Sequence, residues 1–166
     1  MVNNKQSHIS DSSMSGVNFE SLFAHLPERY VVMDAHQGYK MIAANDAYLA
    51  VTGKSREQVI GKGLFEVFPD TSERALKTGK GELETSFEKV IKTDAPDSTG
   101  VIRYDLEDGN GKMSVRYWQA THYPIREGKK ITAILQSTAD VTDIVMSSEE
   151  LKLANIKLDE AKKAGL

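Results

Sequence analysis

Apolar residues along this chain follow three successive spacings. Up to Thr93 they recur mainly at helical intervals, interrupted by two short strand-like runs. From Asp97 the interval falls to two, and from Ile144 it becomes seven. Phe19, Leu22, Phe23 and Leu26 predict a short amphipathic helix stopped by Pro27. Arg29–Asp34 (RYVVMD) reads as a strand, Gly38 as the turn that follows, and Tyr39–Ala44 (YKMIAA) as the return strand. Asn45 is a natural N-cap, and Asp46 puts a negative charge in the first turn of the helix DAYLAVT, which stops at Gly53. Ser55 and Gln58 have the spacing of a capping box, with Glu57 in the first turn. Gly61 and Gly63 break the chain, and Leu64, Phe65, Val67 and Phe68 form an apolar turn closed by Pro69. Gly81–Thr93 carries Leu83, Phe87, Val90 and Ile91 at helical spacing and predicts a longer helix.

The period-two region holds three strands, STGVIRYDLE, MSVRYWQATHYPI and ITAILQSTADVT. Gly-containing links place hairpin loops near Asp108–Lys112 and Glu127–Lys130, so these strands form an antiparallel meander. With the first two strands they predict an α+β fold: a five-stranded antiparallel sheet with helices on one face. In the last segment Ile144, Leu151 and Leu158 recur every seven residues, and Ala154 and Ala161 follow three further on. That is the a/d seam of a coiled-coil helix. At about three heptads it needs a partner, so a homodimer is expected. The expected layout is a disordered tail over 1–18, a folded domain over 19–142 and a coiled-coil linker over 143–166. Gly165 is a candidate C-cap, and truncation of a longer protein is at least as good a reading of the end.

Composition removes several functions. An apolar fraction of 40% supports one modest core. A net charge of −3 with scattered Lys and Arg gives no electrostatic case for nucleic acid or an anionic membrane. The absence of cysteine excludes disulfides, Cys-zinc sites and thiol chemistry, and suits a reducing compartment. Residues 1–18 lack the apolar core of a signal peptide, and no run approaches the ~18 apolar residues of a membrane span. A cytoplasmic location follows as the expectation. His8, His25, His36 and His122 are too dispersed for a metal site. Gly53-Lys54-Ser55 lacks the earlier glycine of a phosphate loop, since Tyr48 stands there, and Gly79-Lys80-Gly81 lacks the strand context of a dinucleotide turn. No catalytic constellation emerges, so any kinase or other activity is expected in a domain outside this chain.

Particular residues carry a family resemblance. Asn45-Asp46-Ala47, Tyr48 and Thr52-Gly53 resemble the N-x-A-x-x-x-x-T-G core of PAS domains. Glu57 and Ile60-Gly61 resemble its E-x-x-I/L-G continuation. Pro124 ends the fourth strand where that family usually has proline, and Asp140-Val141-Thr142 resemble its Asp-Ile-Thr exit motif. The combination LFEVFPD, RYW, P and DVT is similar to the sensory PAS domains of bacterial sensor and hybrid histidine kinases. The resemblance spans about Phe19–Thr142. It implies signal transduction within a two-component system, with a small molecule in a cup and an output kinase or partner protein beyond the terminal helix. Light-sensing LOV relatives and the photoactive yellow protein need a cysteine, which is absent here. Haem-binding relatives usually place a histidine on the long helix, and Gly81–Thr93 has none. A non-covalent flavin or a small metabolite stays open.

Candidate contacts follow from strand parity. Trp118, Ala120 and His122 share one face of the fourth strand, and Gln136 and Thr138 share a face of the last strand with Ile134. Trp118 can stack on a planar ligand, His122 can donate to it, and Gln136 and Thr138 are unusual polar residues for a buried strand. Tyr104 is a weaker candidate. The plainer readings are a packed Trp118, a satisfied or exposed His122, and an outward dimer surface for Gln136 and Thr138. Asp140 and Thr142 are read as the signal relay, tying the last strand to the helix, or as simple helix caps. A ligand-free dimerisation module is the competing function.

Overall fold

A computed structural model of the protein describes residues 16–107 and 110–165. The expected tail lies outside the described residues as far as residue 15. Asn18 already belongs to the fold, because its side chain accepts a hydrogen bond from the Ser21 N–H at 2.9 Å and caps helix α1 (Phe19–Ala24).

Strands β1 (Arg29–Asp34) and β2 (Met41–Ala44) pair antiparallel around the turn at Gly38. Helix α2 (Asp46–Thr52) begins at Asn45, whose Oδ1 accepts from the Tyr48 N–H, and ends at Gly53 with φ 65°. Four short helices then cross one face of the sheet: α3 (Arg56–Val59), α4 (Leu64–Val67), α5 (Glu73–Thr78) and α6 (Glu82–Thr93), the last being three turns long. Ser55 and Gln58 form the expected capping contact, the Ser55 N–H donating to Gln58 Oε1 at 2.8 Å. Helix α5 was not anticipated, although Ser72 and Gly79 cap its two ends.

The five strand positions of the sheet are those expected, but the third strand is broken. Strand β3 (Asp97–Ser98) and strand β4 (Ile102–Arg103) both pair with the long strand β7 (Tyr117–Glu127). Between them Thr99 Oγ1 takes the Ala120 N–H at 3.1 Å, so a hydroxyl replaces a ladder carbonyl. Strands β5 (Leu106–Glu107) and β6 (Met113–Ser114) then pair with each other in a separate ribbon. The first expected hairpin loop is partly outside the described residues. The second is a two-residue turn, Gly128-Lys129, between Glu127 and Lys130, with Gly128 at φ 61°. Strand β8 (Lys130–Asp140) runs between β1 and β7, giving the order β2-β1-β8-β7-β3.

The core lies between this sheet and the helices. Val31, Met33, Met41, Tyr48, Val59, Leu64, Phe87 and Ile134 are buried in it. Asn45 is fully buried and pins the first helix crossing. It accepts from the Tyr30 and Tyr48 N–H groups and donates to the Leu26 and Glu28 carbonyls. Among the described residues no buried side-chain polar atom lacks a partner.

Helix α7 (Thr142–Lys163) leaves the sheet at the end of β8 and buries none of its residues. Ile144, Leu151 and Leu158 are 70%, 63% and 52% exposed. Met146, Leu153 and Ile156 form a second exposed apolar row that the seven-residue count did not register. At 3.6 residues per turn it lies roughly opposite the first. No helix among the described residues is long and apolar enough to cross a membrane.

Candidate functional site

A cavity of about 600 Å3 opens between the sheet and helices α2, α4 and α6. Val51, Leu64, Phe65, Phe68, Pro69 and Leu83 line its helical side, and Ile102, Trp118 and Ala120 its sheet side. Polar groups enter from several elements, among them Gln136 and Thr138 from β8, Tyr48 from α2, Arg29 from β1, Asp70 from the loop after α4, Glu82 from α6, and Arg103, Tyr104 and Asp105 at and just after β4. An apolar box with a few convergent polar groups, in a volume of several hundred Å3, is the usual form of a small-molecule site.

Strand pairing explains why these residues meet. On β7 and β8, Ala120 lies opposite Thr138 and Trp118 opposite Asp140, while Arg29 of β1 lies opposite Thr138 from the other side. Trp118, Gln136, Thr138 and Tyr104, four of the candidates, therefore share the cavity. The Trp118 indole N–H donates to the Tyr104 carbonyl oxygen at 2.8 Å, so Trp118 offers the cavity its ring and not its donor. Burial, with Asp70 nearby, raises the Tyr104 phenol above its ordinary range, and burial raises that of Tyr48 further. Both remain neutral hydroxyls that can donate or accept.

His122 lies away from the cavity and answers to its plainer reading, a satisfied strand residue. It is fully buried, yet it is not among the cavity-lining residues. Parity gave its face correctly, but it lies deeper along β7, where Phe87 of α6 meets the ring edge-on at 4.6 Å and closes the space. Its Nδ1 is 2.6 Å from Ser86 Oγ, and its Nε2 is 3.0 Å from the Gln136 amide. Burial lowers its pKa to about 4, so it is neutral at ordinary pH. Ser86 also donates to Asp97 Oδ2 at 2.8 Å. Neither Ser86 nor Asp97 was singled out from the sequence. Ser86 stands three residues after Leu83, on the face that α6 buries, and that position was its only signal.

At the other end of β8 the chain turns into α7 through a polar knot. Asp140 Oδ1 accepts from the Thr142 N–H at 3.0 Å and from Thr142 Oγ1 at 2.5 Å. Thr142 Oγ1 in turn accepts from the Tyr117 N–H at 3.0 Å, and Arg116 Nη1 donates to Asp140 Oδ2 at 3.2 Å. Burial opposes ionisation of Asp140, but the hydrogen bonds from Thr142 and the Arg116 charge outweigh it and lower its pKa. The knot satisfies the first N–H of α7, whose N-cap is Val141, and ties the helix to β7 and β8. Among the described residues no group of three or more His, Cys, Asp or Glu is arranged to hold a metal ion.

A family model described as the PAS fold matches residues 23–145, more than half of the chain. The chain belongs to the PAS fold family. PAS domains are typically sensory modules that carry no catalytic activity of their own. Solved structures agree on the fold. An RNA-binding Light-Oxygen-Voltage receptor superposes with a TM-score of 0.64 at 17% identity, covering 97% of this chain. This chain spans only 42% of that receptor. The PAS domain of a Colwellia psychrerythraea protein superposes at 0.57 and 18% identity, covering 75% of this chain and 95% of that one. The PAS domain of Bordetella pertussis BvgS does so at 0.53 and 19% identity, covering 82% and 95%. No curated protein matches the sequence.

Proposed function

We propose that this PAS domain is a cytoplasmic sensory module that holds a small molecule non-covalently in the cavity. Its occupancy is passed along β8 into α7, and from there to a histidine kinase output domain of a two-component system. Any catalysis belongs to that output domain. One observation carries the reading: two of the polar cavity residues, Gln136 and Thr138, lie on the strand that leads to the helix exit. Gln136 and Thr138 touch the cavity, and Asp140 and Thr142 hold the start of α7. Asp140 lies four residue steps along the strand from Gln136, about 13 Å at ~3.3 Å per step. A ligand that favours one arrangement of β8 by ~1–3 kcal/mol biases the helix exit by the same amount. The exposed Ile144, Leu151 and Leu158 support a parallel homodimer through α7. The histidine kinase context rests on the resemblance of the LFEVFPD and DVT segments. RNA is no part of the proposal, given a net charge of −3.

Native mass spectrometry and absorbance of the gently purified protein test the reading. A bound small molecule is expected, and Trp118→Ala and Gln136→Ala should each lower its occupancy without altering far-UV dichroism. A molecule retained fully by both variants would place the site elsewhere.

A further inference from the structure

Behind the cavity wall a row of polar side chains runs up to the Gln136 amide. Asp97, His122 and Gln136 are register partners on β3, β7 and β8. Ser86 reaches in from α6, 2.8 Å from Asp97 and 2.6 Å from His122 Nδ1. One end of the Gln136 amide lies 3.0 Å from His122 Nε2, and the other lies 3.2 Å from Thr138 Oγ1. Gln136 and Thr138 line the cavity, and Ser86, Asp97 and His122 do not. The charged groups beside His122 are Asp97 on β3 and, beyond it, Lys89 on α6, which is paired with Asp97.

Counting protons along the row leaves one arrangement. Hydrogen bonds from Lys89 and Ser86 hold the Asp97 carboxyl below its usual range, so it is ionised and only accepts. Ser86 has one hydroxyl proton and gives it to Asp97. With that proton committed, only a lone pair of Ser86 Oγ can face Nδ1, so Nδ1 carries a proton. A neutral imidazole has one N–H, which leaves Nε2 a bare acceptor. The amide end facing it must then be the NH2 group. The two ends of the amide are isosteric, so shape does not choose between them and the hydrogen-bond network does. The opposite tautomer would draw the Ser86 proton to Nδ1 and set the lone pairs of Ser86 and Asp97 against each other at 2.8 Å. An imidazolium would call for the amide oxygen at Nε2 instead, but burial keeps His122 neutral down to about pH 4.

We propose that the Asp97–Ser86–His122 relay turns the Gln136 carbonyl oxygen towards Thr138 and the cavity, and that the ligand is a planar molecule donating an N–H or O–H to it. The planar requirement comes from Trp118, whose own N–H is spent on Tyr104. The ligand class rests on the sensory reading above. Ser86 and His122 are positioning residues, since neither touches the cavity.

Two measurements test this on the intact chain. Nitrogen-15 NMR of the histidine rings in the ligand-free protein reads the tautomer, and at pH 7 His122 should carry its proton on Nδ1. Binding is then compared for 2-quinolone, which has a ring N–H, its N-methyl derivative, and quinoline, which only accepts. 2-Quinolone should bind about tenfold more tightly than either, the effect of one buried hydrogen bond. Gln136→Leu should abolish that preference. A proton on Nε2 at pH 7 would overturn the relay. An Nδ1 proton with quinoline binding as well as 2-quinolone would overturn the donor assignment. An Nδ1 proton with no probe binding at millimolar concentration would defeat the ligand class; if the native protein also carries nothing, the sensory reading fails with it and the relay stands.

Discussion

Acidification should weaken this fold before its carboxylates titrate, and the cause should be one residue. His122 is fully buried, with Phe87 against its edge, and its pKa falls from an ordinary 6.5 to about 4. The sign follows from proton binding. Between these two values the unfolded chain binds a proton on this ring and the folded chain does not, so stability falls as pH drops through that window. The stabilising contribution is fully present above about pH 6.5 and is lost progressively towards pH 4. Integrated from pH 7 to pH 4 the loss is about 3 kcal/mol, with a slope approaching 1.36 kcal/mol per pH unit in mid-window. Carboxylates with lowered values, such as Asp97 and Asp140, contribute their losses mainly below this range. Urea unfolding followed by Trp118 fluorescence and far-UV dichroism at several pH values measures the slope. At roughly 2 kcal/mol per M for a domain of this size, the midpoint should fall by about 1.5 M across the window. His122→Phe removes the titrating ring, and the histidines other than His122 are common to both proteins. The variant should therefore be flatter between pH 6.5 and 4, whatever its absolute stability. Equal slopes for variant and wild type would refute the reasoning.

Asn45→Ala removes a fully buried side chain together with the two hydrogen bonds it accepts and the two it donates, and should cost roughly 3 kcal/mol in the same unfolding assay. Thr142→Val keeps the shape of the side chain but strands the Tyr117 N–H, so it should cost about 1–2 kcal/mol and speed hydrogen exchange at the start of α7. Leu151→Asp with Leu158→Asp should shift the protein towards monomer in sedimentation while the sheet stays folded. An unchanged dimer would move the association to another surface, with Phe19 and Leu22 of α1 the next exposed apolar pair.

Much of the fold was legible because its punctuation is local. Asn45, Gly53, Ser55 with Gln58, and the Gly128 turn each act within four residues, so their chemistry can be read without knowing what packs above them. Strand parity likewise grouped Trp118 with His122 on β7 and Gln136 with Thr138 on β8, while leaving open which face pointed inward. What parity cannot give is depth. It put Trp118 and His122 on one face, but only the position of Phe87 shows that the cavity ends before His122. The break in the third strand was hidden for a related reason. A Thr hydroxyl substitutes for a ladder carbonyl only once the partner strand is in register. The Ser86–Asp97–His122 row joins residues from a helix and two strands, and no spacing in the sequence announces it. On α7 the seven-residue count found one apolar row and overlooked Met146, Leu153 and Ile156.

The central claim is that the space between β8 and the helices is a binding site for a small molecule. A crystal structure of the protein purified without refolding tests it most directly. The account predicts a planar molecule in the 600 Å3 cavity, against the Trp118 ring and within hydrogen-bond distance of Gln136 or Thr138. A cavity closed by Phe65 and Phe68, with those side chains packed onto Trp118, would contradict it.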